Sequence, residues 1–159
     1  MNNHVVALAV WLALVIGGYV LIDHFSAPEP VVRSKAGGSY EIVVPVARDG
    51  HYYLDGAVNG QAVTFLVDTG ASYVSIGADV AARAGLPAGV AGFFTTANGS
   101  VEGRIVRSQT VAADMFEVSG ITVAVMPSNS EFGLLGQNFL RYFAVSQSDG
   151  KLRLRAREP

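Results

Sequence analysis

From Tyr40 to Pro159 the chain consists of short runs of β-branched and aromatic residues, separated at regular spacing by turn dipeptides, with helical periodicity nearly absent. A run that short cannot bury a helical stripe, but it fills one strand, so the pattern predicts an all-β barrel or sandwich. The expected strands begin with EIVVPVAR (residues 41–48), its turn at Asp49-Gly50, and HYYLDGAVN (51–59). Asn59-Gly60 then leads into QAVTFLVD (61–68). That dipeptide supplies the left-handed backbone a two-residue hairpin needs. FFTTANGSVEGRIVRSQTV (93–111) gives two strands around Asn98-Gly99, and ITVAVMP (121–127) another. A last hairpin turns at Asp149-Gly150 between YFAVSQS (142–148) and KLRLRAR (151–157). Pro45 lacks an amide hydrogen for a ladder bond, which predicts an edge position or a bulge. One short helix is expected over Ala78–Ala84, stopped by Gly85 and Pro87. In the closing segment Lys151, Arg153, Arg155 and Arg157 alternate with Leu152, Leu154 and Ala156. This predicts a solvated basic strand face, with lipid phosphate contact as the second reading.

Half of the 159 residues are hydrophobic and only 15% are charged, more apolar than a β domain alone requires. The excess lies in Val5–Ile22, an uncharged run long enough to cross a bilayer core as a helix. A cleaved signal peptide is the rival, but no Lys or Arg precedes the run and Phe25-Ser26-Ala27 is a poor small-x-small site. The expected organisation is a transmembrane anchor over residues 1–24, a flexible tether over 25–39, and a folded domain over 40–159. Pro28, Pro30, Gly37 and Gly38 mark the tether. The chain is thus expected in the cell membrane as a single-pass protein. Arg33 and Lys35, diluted by Asp23 and Glu29, leave the side of the domain open.

The charge balance, 11 Lys and Arg against 13 Asp and Glu, offers no basic footprint for nucleic acid. Zero cysteines exclude disulfides, thiolate zinc sites, iron–sulfur ligation and cysteine nucleophiles. His4, His24 and His51 are too scattered to suggest a metal cluster or a nucleophile–base pair, so neither metal nor cofactor is expected. AGLPAGVAG (84–92) lacks the lysine of a phosphate loop. No alternation of strands and helices surrounds Asp68 to support a phospho-aspartate. Phe93 and Phe94 read as packing residues.

The chemistry is concentrated in Thr64–Ser72, TFLVDTGAS, where an apolar strand delivers Asp68 into Thr69-Gly70. A bare Asp-Thr-Gly is most often a turn cap, because Asp and Gly are common turn residues. An acid at the end of a buried strand is costly unless it is paired, hydrogen-bonded or used, and glycine after it lets the backbone turn sharply.

The string resembles the active-site signature of the aspartic proteases, most closely the single-domain retroviral type, the retropepsins. A downstream hydrophobic-hydrophobic-Gly element is matched by Leu134-Leu135-Gly136, followed by the helix-like NFLRYF (138–143). Between the two, TTANGSVEGR (95–104) is similar to the hairpin flap that covers the substrate, with Thr96, Ala97, Asn98 and Gly99 at its tip. More narrowly, the chain looks like the bacterial retropepsin-like proteins that carry an N-terminal membrane helix. One departure stands out. Many viral members pair a carboxylate after Asp-Thr-Gly-Ala with an arginine after the downstream glycine, where this chain has Ser72 and Gln137. A neutral hydrogen bond could replace that ion pair.

The resemblance implies a single-lobe retropepsin-like barrel and an aspartic endopeptidase in which Asp68 is catalytic. Thr69, Gly70, Ala71 and Ser72 would support its loop. Such chemistry needs two carboxylates about 3 Å apart sharing one proton, with activity highest at acidic to mildly acidic pH. The domain has one Asp-Thr-Gly and room for one lobe, so a homodimer with Asp68 of each copy across a two-fold axis is expected, acting on a polypeptide substrate. The alternative is a catalytically silent dimerisation or peptide-binding module that keeps the fold.

Overall fold

The computed structural model describes residues 10–19, 32–34, 41–96, 99–128, 130 and 132–157. Helix α1 (residues 10–19) is exposed along its length. Among the described residues no helix is long and apolar enough to cross a membrane; the rest of the Val5–Ile22 run lies outside them. Strand β1 (Val32–Ser34) falls inside the segment expected to be a tether, and pairs antiparallel with a strand of the domain. The domain continues through β2 (Glu41–Pro45), β3 (Tyr53–Val58), β4 (Gln61–Val67), β5 (Val74–Gly77), α2 (Ala78–Arg83), β6 (Val90–Thr96) and β7 (Gly99–Ala113). It closes with β8 (Phe116–Met126), β9 (Gly133–Leu135), α3 (Gln137–Leu140), β10 (Phe143–Ser148) and β11 (Lys151–Ala156).

The larger sheet has the order β1-β8-β5-β9-β4-β3-β7-β6, and an additional β7–β8 pairing closes the six strands from β8 through β7 into a barrel. A smaller sheet, β10-β11-β2, packs beside it. The all-β expectation holds, and Pro45 ends the edge strand β2, where its missing donor is harmless. Like β1, strands β5 and β9 occupy sequence where none was expected, and β8 starts five residues earlier than ITVAVMP. The first half of the helix-like NFLRYF lies in α3, which runs from Gln137 to Leu140, while Phe143 opens β10.

The local turns follow the sequence closely. Asn59 and Gly60 have φ of 48° and 83°, and Asp149 and Gly150 have 51° and 67°, the left-handed pairs of two-residue hairpins. A Cβ at Gly60 would meet nothing within 4 Å, so only backbone strain opposes a side chain there. Gly60→Ala is expected to destabilise the domain by about 1 kcal/mol, read as a shift in denaturant midpoint. At the Asp49-Gly50 turn, Tyr53 Oη donates to Asp49 at 2.6 Å and the His51 amide at 3.1 Å, holding that carboxyl below the usual carboxylate range. His51 thus belongs to a turn, 3.3 Å from Asp49. Helix α2 ends one residue before the expected Ala84, with Gly85 at φ +64° behind it.

The core joins the two sheets through aromatic rings. Phe116 of β8 lies 4.8 Å from Phe143 of β10, which stacks at 5.1 Å on Phe139 of α3; all three are fully buried. Each such ring contributes about 1.5–3 kcal/mol by burial, so α3 is held firmly against the barrel. This matters because α3 starts at the residue following Gly136.

Candidate active site

Strands β4 and β9 run parallel, with Phe65 opposite Gly133 and Val67 opposite Leu135. Parallel pairing brings their C-terminal ends out side by side. One end continues into Asp68-Thr69-Gly70, the other into Gly136-Gln137. The first and third predicted motifs, 68 residues apart at Thr69 and Gln137, are thereby in direct contact. The Asp68 amide donates to Leu135 O at 3.2 Å, and the Ala71 amide returns to Asp68 O at 3.3 Å.

Within this turn the half-buried Asp68 accepts a 2.8 Å hydrogen bond from the Gly70 amide on Oδ1. Among the described residues Oδ2 has no hydrogen-bond partner. The carboxylate is therefore oriented by its own turn while one oxygen stays free for chemistry. Thr69, Gly70 and Ser72 are exposed and Ala71 is half-buried, so the loop presents a surface that a second molecule can reach.

Gly136 is required by proximity. A Cβ built on it would lie 2.3 Å from Tyr73 O and 2.8 Å from Ala71 O, both main-chain atoms. From Gly136 the chain enters α3, whose first two residues grip the loop carrying Asp68. Gln137 donates its amide to Ala71 O at 2.8 Å and Nε2 to Thr69 O at 2.9 Å. Asn138 donates its amide to Ser72 O at 3.2 Å, accepts the Val74 amide on Oδ1 at 2.8 Å, and donates Nδ2 to Thr122 O at 2.6 Å. The neutral bond expected at Ser72 and Gln137 thus exists in altered form: the Gln137 side chain holds Thr69, and Ser72 takes part through its carbonyl. Asn138 escaped the sequence reading. Its only signal was an amide side chain immediately after the hydrophobic-Gly element and Gln137.

The segment expected to form a flap lies in the β6–β7 hairpin, where Thr96 pairs with Gly99 and its Oγ1 donates to Gly99 O at 2.8 Å. Ala97 and Asn98 lie outside the described residues. Lower on the hairpin, Phe94 meets Tyr73 edge-on at 6.4 Å between ring centroids, linking the hairpin to the segment that follows the Asp68 turn. A cavity of about 330 Å³ is lined by Thr96 and Val101 of this hairpin together with Ile76, Leu134, Met126 and Phe132. Leu134, which lines the cavity, pairs with Leu66 across the β4–β9 ladder, two residues before Asp68. Among the described residues no group of three or more His, Cys, Asp or Glu side chains is placed to hold a metal ion.

Comparison with known proteins agrees with this geometry. A family model described as "gag-polyprotein putative aspartyl protease" matches residues 54–142. An uncharacterized protein of Rickettsia prowazekii is 29% identical over 117 residues, covering 70% of this chain and 49% of that protein. An uncharacterized protein from the cobV 5′ region of a Sinorhizobium species is 29% identical over 129 residues, covering 78% of this chain and 55% of its own length. The chain thus spans about half the length of the curated relatives it matches. The crystal structure of a retropepsin-like aspartic protease from Rickettsia conorii superposes with a TM-score of 0.59 at 24% identity, over 80% of this chain and 94% of that one, which shows a shared fold. Since the family match spans more than half of the chain and includes both the Asp68 turn and the Gly136 segment that braces it, the chain belongs to the gag-polyprotein aspartyl protease family, with a retropepsin-like fold.

Proposed function

We propose that the protein is an aspartic endopeptidase whose active site forms when two copies bring their Asp68 turns together. The carrying observation is Asp68, oriented through Oδ1 by Gly70, open at Oδ2, and carried on a turn that the Gly136–Asn138 segment holds through Ala71 O and Ser72 O. One barrel supplies one carboxylate, and peptide hydrolysis by this chemistry needs two about 3 Å apart. In the dimer the ionised Asp68 takes a proton from water as the oxygen attacks the scissile carbonyl carbon. The protonated twin donates its hydrogen to the carbonyl oxygen, giving a tetrahedral diol. Collapse breaks the C–N bond, with one proton returned to the departing nitrogen, and releases an acid and an amine. Thr69 would brace the two loops across the axis. The substrate is a polypeptide laid between flap and barrel, its apolar side chains filling the cavity lined by Ile76, Val101 and Phe132. Cleavage of a mixed peptide library, abolished by an active-site aspartic protease inhibitor, is the expected result; inhibitor-insensitive or absent cleavage rejects the reading.

The same proposal assigns Val5–Ile22 to a single-pass membrane anchor. Confining two domains to one bilayer on short linkers raises their effective concentration, so a weak dimer suffices. A chain starting at Ser26, which keeps β1, is expected to lose specific activity on dilution and to sediment as a monomer at low concentration. A tight dimer for that chain would contradict the tethering role.

A further inference from the structure

Gln137 stands where many viral retropepsins carry an arginine, and its side chain reaches the backbone of the turn that holds Asp68. We infer that Gln137 positions the Asp68 carboxylate through a single peptide plane. Its Nε2 holds Thr69 O at 2.9 Å, and the same peptide unit carries the Gly70 N–H that donates to Asp68 Oδ1 at 2.8 Å. A peptide unit is rigid and planar, so fixing its carbonyl fixes the direction of its N–H. Aligned hydrogen bonds of this kind also polarise one another, strengthening the Gly70 bond to the carboxylate. Asn138 completes the grip by holding Ser72 O and the Val74 amide and by tying both to Thr122 of β8.

The groups with which Gln137 and Asn138 hold the turn are neutral amides and carbonyls. The ionisable groups on the segments that carry them are Asp68 itself, Tyr73 on the outgoing arm, Glu117 of β8, and Arg141 and Tyr142 after α3, where the Arg141 guanidinium donates to Tyr142 Oη at 2.8 Å. A carboxylate–guanidinium brace weakens when acid protonates the carboxylate, whereas an amide donor does not change. Gln137 therefore keeps the turn ordered through the acidic range in which a carboxylate dyad works. The catalytic consequence rests on the peptidase reading above; the ordering of the turn does not.

The test is Gln137→Glu in the full chain, a near-isosteric change at an exposed position. A protonated glutamic acid still donates to Thr69 O; the ionised form presents only acceptors. Protection of the Gly70 amide hydrogen, followed by NMR, is expected to match the wild type below the ordinary glutamate titration near pH ~4.3 and to fall about fivefold above it. The pH profile of kcat/KM should fall in parallel, and Gln137→Arg, a donor at every pH, should restore both. Equal protection in Gln137→Glu and wild type across the range overturns the inference, as does an equal loss at both ends, which would mark a merely structural residue. If Gly70 protection follows the expected pattern while the wild type cleaves nothing, the positioning of the turn stands and the peptidase reading fails.

Discussion

Asp68→Asn is expected to lower kcat/KM for peptide cleavage by about 10³-fold, the range for losing an acid–base catalyst. The substitution is close to isosteric, and Asn Oδ1 can still accept the 2.8 Å bond from the Gly70 amide, so the turn survives. What disappears is the proton-accepting oxygen, and in a homodimer it disappears from both halves of the site. Circular dichroism and unfolding midpoint should therefore match the wild type while turnover is lost. The proposed dimeric site makes a second outcome specific. Adding excess Asp68→Asn chain to a fixed amount of wild type should suppress activity, because hybrid dimers hold one carboxylate. Activity that is unaffected by the added variant would mean that each barrel works alone, and retained activity in the variant would remove Asp68 from the mechanism.

Gly136→Ala should have the largest effect on the fold, a loss of about 3 kcal/mol or more in unfolding free energy. The added methyl would sit 2.3 Å from Tyr73 O and 2.5 Å from Tyr73 C, with Ala71 O at 2.8 Å on another side. None of these atoms can swing away as a side-chain tip would. Relief requires moving the Ala71–Tyr73 segment, which also breaks the Gln137 and Asn138 bonds to Ala71 and Ser72. Stability and cleavage should fall together, in contrast to Asp68→Asn. Gly70 makes a useful comparison: a Cβ there comes no closer than 3.2 Å to Asp68 Oδ1, a contact a small rotation relieves. A denaturant midpoint for Gly136→Ala equal to that of the wild type would contradict this account.

The features that were legible in the sequence are those fixed by a few neighbouring residues. The left-handed pairs at Asn59-Gly60 and Asp149-Gly150, the stop of α2 at Gly85, and the edge position of Pro45 each follow from local backbone preferences. Asp68 was legible for a related reason, since an acid delivered by an apolar strand into Thr-Gly is conspicuous along the chain. Strand β5 was missed because VSIG carries only four residues, too few for alternation to show. Strand β1 was missed because Val32–Ser34 lies between prolines and glycines that read as linker, and only β8 makes it a strand.

By itself, then, the sequence determined the β class and the hairpin turns and singled out Asp68 as the carboxylate proposed to carry the chemistry, because each depends on local torsional preference and side-chain type. The tertiary structure decided which strands run parallel, that β4 and β9 end side by side, and that Gln137 reaches Thr69 while Asn138 reaches Thr122. Those choices depend on closing loops of tens of residues and packing Phe139 against Phe143, where the favourable partner is set by the whole barrel and by no segment alone.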